Sequence, residues 1–244
     1  VPAAMSSAIA YSVFCLWLPR ELRFMPLFGP HMAFEVASPL ELLPYTAMAI
    51  VLVLAGVLYI QTFYGMHRLF KRLPILPHLK PMIGGTLAGL TGLGLWWAFG
   101  HDRDALAVLG SGYGLLQKMF GREMTVAPLL LVAVALVKII TTSFTISSGG
   151  SGGVFGPSMV IGGCVGGAVG QVFHQWMPTL VPHPQAFAIV GMAGFFSGCA
   201  RAPLSTVLMV SEMTGGYGLL LPTLWVSTLT FLLGRRWTLY IKQV

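Results

Sequence analysis

Ser147-Ser148-Gly149-Gly150-Ser151-Gly152-Gly153-Val154-Phe155-Gly156-Pro157 interrupts a stretch from Ile139 to Ala200 that contains no Asp, Glu, Lys or Arg. In hydrocarbon every backbone N–H and C=O must find a partner, so irregular backbone is tolerated there only where protein buries it or where it lines a polar cavity. The glycines from Gly149 to Gly156 cannot extend a stable helix. Pro157 suits the first turn of a following helix, because the amide hydrogen it lacks would be unpaired there anyway. The run therefore predicts a helix starting between Phe155 and Ser158, with several unpaired amide hydrogens at the positive end of its dipole. That arrangement attracts an anion, and the break reads as an ion site at membrane depth.

Working outward, the chain of 244 residues is 56% hydrophobic and 9% charged, with a mean hydropathy of +0.81. A soluble domain of this length needs a more polar surface. Runs with few or no charges lie at Val1 to Trp17, Leu42 to Gly65, Met82 to Gly100, Met124 to Val137, Ile139 to Ala200 and Met213 to Gly234. A bilayer takes roughly 20 apolar residues per crossing helix, which predicts about eight to ten membrane-embedded segments, some too short to span. The fold class is an all-α polytopic membrane protein. Helices are expected over 2–17, 42–72, 80–99, 103–119, 125–142, 155–174, 184–199, 203–212 and 217–234, with a short segment from 237. Prolines mark kinks or ends among them, so several helices are short and broken, as ion sites near a bilayer midplane are built.

The net charge of +7 does not point to nucleic acid, because the cations sit between apolar runs and form no single basic face with interleaved aromatics. Arg68, Lys71, Arg72 and Lys80 share one link, while Arg20 and Arg23 are offset by Glu21, Glu35 and Glu41 in the link before it. The positive-inside rule places the first of these links and the C-terminus, with Arg235, Arg236 and Lys242, in the cytoplasm. Lys138 and Arg201 flank long apolar runs and are expected to snorkel to the interface. Cys15, Cys164 and Cys199 read as small buried hydrophobes, and the histidines show no metal-ligand spacing, so no metal site and no cofactor are assigned. A P-loop needs GK[ST] and a preceding strand, both absent here. No nucleophile, base and orienting acid occur together, so an enzyme is not expected. Gly162, Gly166 and Gly170 stand four apart and read as a close-packing face between membrane helices.

The stretch from Thr141 to Met159 resembles the GxFxP signature region of the chloride channel and proton/chloride antiporter (CLC) family. Gly191-Met192-Ala193-Gly194, Arg201-Ala202-Pro203-Leu204-Ser205, Ser211-Glu212-Met213-Thr214-Gly215-Gly216-Tyr217 and Leu239-Tyr240 follow in the family's order. The resemblance implies half of an inverted-repeat fold, with peripheral and interface helices over 1–137 and the anion-site helices over 138–244. It implies that the amides of Val154 and Phe155, within the motif Gly153, Gly156 and Pro157, contact a chloride, and that the Tyr240 hydroxyl donates to the same ion. It also implies a homodimer, contacting through Val1 to Trp17 and Pro203 to Gly234.

The family's gating glutamate loop has no match in these residues. Gly121-Arg122-Glu123 is followed by Met124 and Thr125 where the loop has Gly-Pro, so Glu123 reads as a solvated loop acid. The start at Val1 leads us to expect a longer polypeptide whose N-terminal half carries the gate and decides between passive channel and proton-coupled exchanger. Glu212, ahead of Met213-Thr214-Gly215-Gly216, reads as a structural residue at a helix end. Two functions follow: a chloride pathway across a membrane, or a non-conducting assembly module whose glycine loop only packs against another helix.

Overall fold

A computed structural model describes residues 2–20, 23, 25–28, 34, 38–121, 124 and 126–240. Glu123 and Lys242, which carry sequence expectations, lie outside them. The described residues form nine α-helices and no strand: α1 (Pro2–Trp17), α2 (Leu42–Arg72), α3 (Leu79–Ala98), α4 (Tyr113–Met119), α5 (Pro128–Ser147), α6 (Phe155–Trp176), α7 (Pro184–Ala200), α8 (Pro203–Thr214) and α9 (Leu220–Leu233). Proline stands in the first turn of α5, α7 and α8, where its fixed φ helps and its missing donor costs nothing.

Two expected helices differ in detail. The segment over 103–119 divides into a 3-10 turn, Arg103–Val108, and the short α4, because Gly112 takes a left-handed φ of 77° between them. Val160 of α6 packs so close to Gly112 that an added Cβ would sit 2.7 Å from its Cγ2. The helix expected over 125–142 starts instead at Pro128 and runs on to Ser147. Its polar last turns survive because their hydroxyls return to the helix's own carbonyls, Ser143 to Ile139 at 2.7 Å and Thr145 to Thr141 at 2.9 Å. The described part of the segment from 237 is not helical.

Among the described residues three helical stretches are long and apolar enough to cross a bilayer: Pro39–Arg72, Pro128–Ser147 and Phe155–Trp176. The α6 and α7 helices form the most extensive contact, and α2 crosses behind them to touch α5, α7 and α9. The core is built from Met48, Leu52 and Tyr59 of α2, Leu131 and Ile139 of α5, Met159 and Ile161 of α6, and Met192 and Phe195 of α7. The outward sides remain apolar: Ile9, Phe14 and Trp17 on α1, Leu204 and Leu208 on α8, and Leu221 and Leu233 on α9 are all exposed. In water such a surface would aggregate; against lipid or another apolar chain it is stable. At the α8–α9 turn the exposed Glu212 carboxylate accepts from the Tyr217 hydroxyl, five residues on.

Candidate anion site at the start of helix α6

The chain reaches the site through a tight stop at the end of α5. Gly149, at a φ of 97°, donates to Ile146 O at 3.1 Å, and Gly150 donates to Thr145 O at 3.1 Å. These paired bonds satisfy the last carbonyls of α5, and they require a left-handed residue at position 149, which glycine adopts without penalty. Ser151, Gly152 and Gly153 then run exposed to Val154, the residue preceding α6.

At that end no side chain caps the helix, and no acid stands in its first turn. Among the described residues no carbonyl accepts from the amides of Val154, Phe155 or Gly156. Their hydrogens point along the positive end of a 22-residue dipole, an arrangement that favours negative charge. The first carbonyl of this turn is by contrast doubly bonded: Val154 O accepts from Ser158 N at 3.1 Å and from Ser158 Oγ at 2.7 Å. The Phe155 ring meets Phe196 of α7 edge-on, with centroids 5.0 Å apart, and this anchors the start of the helix.

Tyr240 arrives from the far end of the chain on a pinned segment. Leu239 N donates to Cys199 O at 3.0 Å, the Tyr64 hydroxyl donates to Leu239 O at 2.5 Å, and Tyr240 N donates to Thr238 Oγ1 at 3.1 Å. Tyr240 itself stays 37% exposed. Among the described residues it makes no direct hydrogen bond to α6. On α2, Tyr59 is fully buried, and among the described residues its hydroxyl has no hydrogen-bond partner.

The structure corrects the reading of Lys138. Its side chain does not reach an interface but is 2% exposed, and its ammonium donates to Ala107 O at 3.0 Å, Val108 O at 3.2 Å and Gly110 O at 2.5 Å. Thr141, one turn later, adds a bond to Val108 O at 2.9 Å. Lys138, Thr141, Thr142 and Thr145 line a cavity of about 120 Å³ together with Gly152, Gly153 and Pro157 of the loop. A buried ammonium held by three backbone carbonyls thus lies beside the glycine run. Arg201 ends α7 in a left-handed conformation, φ 58°. Its guanidinium donates to Arg235 O at 2.6 Å and lies 5.2 Å from the Phe231 ring centroid.

Sequence reasoning pointed to Val154 and Phe155, whose amides stand at the start of α6, but missed the clamp role of Lys138 and the unpartnered hydroxyl of Tyr59. A signal existed for Tyr59, because a tyrosine inside the apolar run Leu58-Tyr59-Ile60 carries a hydroxyl into a place where partners are scarce.

The family described as voltage gated chloride channel matches residues 1–235. The chain is 31% identical to the H(+)/Cl(-) exchange transporter ClcA of Cronobacter sakazakii over 73% of this chain and 36% of that protein. It is 30% identical to the putative chloride channel protein ClcB-like of Ralstonia nicotianae, over 79% of this chain and 42% of the relative. A crystal structure of a slow cyanobacterial Cl−/H+ antiporter superposes with a TM-score of 0.67 at 23% identity, covering 88% of this chain and 47% of that one. The chain thus spans less than half the length of the relatives it matches. The chain belongs to the voltage gated chloride channel family.

Proposed function

We propose that this chain forms one half of a chloride transport pathway, with the ion held by the Val154 and Phe155 amides and by the Tyr240 hydroxyl. The observation that carries this reading is the uncapped, acid-free N-terminus of α6, whose amides lack acceptors among the described residues. Hydrogen bonds to a charged partner are strong, yet amides without a lysine among them let the ion leave again, as transport requires. The second half of the pathway, with its gating glutamate, belongs to the remainder of the polypeptide. The relatives named as exchange transporters favour proton-coupled exchange over a passive channel.

The exposed apolar sides of α1, α8 and α9 suit a homodimer contact within the bilayer. The cations at the end of α2 and the C-terminal segment occupy the same end of the molecule, since Arg68 and Arg236 line one groove. That supports a cytoplasmic C-terminus.

The test is removal of single donors from the complete polypeptide. Val154 has a φ of −86°, close to what proline imposes, and the space beside Gly153 is open, so Val154→Pro deletes one amide hydrogen with little rearrangement. Chloride affinity by titration calorimetry is expected to fall roughly ten- to a hundredfold, the loss of one charge-assisted bond. Tyr240→Phe should lower affinity less and loosen discrimination among anions in liposome flux. Unchanged affinity and flux in both variants would leave the glycine run as a packing element.

A further inference from the structure

Helix α2 lies in a stretch long and apolar enough to cross a bilayer, and Lys71 and Arg72 close its last turn, so that end stands where hydrocarbon gives way to headgroups. Arg68 of α2 and Arg236 line a common groove of about 690 Å³ together with Tyr64, Trp237 and Thr238, and the groove extends about two turns back along α2 to Ile60. A second groove joins Arg68 to Arg72. Arg201 donates to Arg235 O at 2.6 Å, which brings two further guanidinium groups to the same end. Among the described residues no acid neutralises them: Glu41 precedes the opposite end of α2, Asp102 lies in the turn after α3 with Asp104, which pairs with Lys118, and Glu212 binds Tyr217 at the end of α8. Arg68 Nε donates to Tyr64 O at 3.4 Å, which leaves its terminal nitrogens for another acceptor. The exposed Arg236 guanidinium has no acceptor among the described residues. Leu69, Leu232, Leu233 and Trp237 are exposed alongside these cations. A ligand that matches both parts is negative at one end and hydrocarbon at the other.

We propose that this groove binds the headgroup of an anionic phospholipid at the membrane surface. The phosphate sits between Arg68 and Arg236, each offering a planar fork that matches two phosphate oxygens. Basic pockets between membrane helices hold anionic headgroups in this way. The acyl chains follow α2 toward Ile60 and cover the exposed leucines, while the Trp237 indole stands at headgroup level, where such rings are enriched. A free phosphate would meet the same arginines but gain nothing from Ile60 or Trp237, so the apolar part of the groove favours the lipid. The lipid ties the end of α2 to the segment after α9, which Tyr64 already joins through its bond to Leu239 O. The site does not depend on the chloride reading.

The experiment takes the complete polypeptide, stripped of lipid in a neutral detergent, and titrates it with short-chain phosphatidylglycerol, phosphatidylcholine or inorganic phosphate. Thermal midpoint and native mass spectrometry of retained lipid are the readouts. Phosphatidylglycerol is expected to raise the midpoint saturably and to stay bound, and the other two are not. Arg68→Gln and Arg236→Gln should each weaken its binding about fivefold, and the double variant about 25-fold. Arg103→Gln, an exposed arginine in the turn after α3, removes the same charge elsewhere and should change nothing. Phosphatidylglycerol binding that survives the double variant, or that falls equally in Arg103→Gln, overturns the site as a response to net charge alone. An equal shift with inorganic phosphate makes this a free-anion site and overturns the lipid. A parent protein that binds no phosphatidylglycerol overturns it outright. If the double variant cannot be recovered folded, Arg236→Gln, which breaks no hydrogen bond among the described residues, decides alone.

Discussion

Gly166→Val is expected to abolish recovery of folded protein, and Gly166→Ala to lower its thermal midpoint sharply. A Cβ built on Gly166 would lie 2.2 Å from Phe187 O and 3.0 Å from Gly191 Cα, both backbone atoms of α7. From the other side, a Cβ on Gly191 would lie 2.4 Å from Gly162 O. No side-chain rotation relieves such contacts; the helices must separate. The α6–α7 pair is the largest contact in the fold, and dispersion across it falls steeply with each fraction of an ångström of gap. Overpacking of this kind costs about 1–3 kcal/mol for a methyl and more for a branched side chain. The contrast is Gly94 on α3, whose built Cβ meets nothing within 4 Å. Gly94→Ala should be neutral or stabilising by up to about 1 kcal/mol, the ordinary helix gain. Thermal unfolding in detergent, followed by size-exclusion recovery, separates the two. Equal tolerance at positions 166 and 94 would contradict the close approach of α6 and α7.

Much of this architecture was legible because its signals are local. Pro184 and Pro203 announce helix starts through fixed φ and a missing donor, and the glycine run before Pro157 announces a break whatever surrounds it. Gly162 and Gly166 show their purpose through spacing alone. The division of 103–119 was not legible, since Gly110-Ser111-Gly112 requires a turn only once Val160 of α6 packs against Gly112. The same limit explains the site. Val154 and Phe155 follow from a motif within a few residues, whereas the segment carrying Tyr240 is pinned by Tyr64 of α2 and by Cys199 at the end of α7, far away in the chain. Pattern along a sequence records which face a residue occupies, not which distant hydroxyl completes its bonding.

Lys138 was misread for this reason, and it supports the second large effect. By position it ends one apolar run and begins another, the pattern of a snorkelling lysine. What decides its place is the backbone at Ala107, Val108 and Gly110, roughly thirty residues earlier, whose carbonyls converge on the ammonium. Lys138→Met keeps the volume of the stem but leaves three carbonyls short of a donor, and Thr141 can satisfy only Val108. Val108 O keeps Thr141 and Gly110 is exposed, so the loss falls chiefly on Ala107 O, and about 1–3 kcal/mol is expected for a carbonyl left unpaired away from water. Lys138→Arg should recover only part of it, because a planar fork does not match three carbonyls converging on one point. The substitution also removes a positive charge beside Gly152 and Gly153. Chloride flux per folded molecule should therefore fall in Lys138→Met but persist in Lys138→Arg. A folded Lys138→Met protein with parental stability would mean that the three carbonyls do not depend on the ammonium. A stable variant with reduced flux would separate the charge from the clamp.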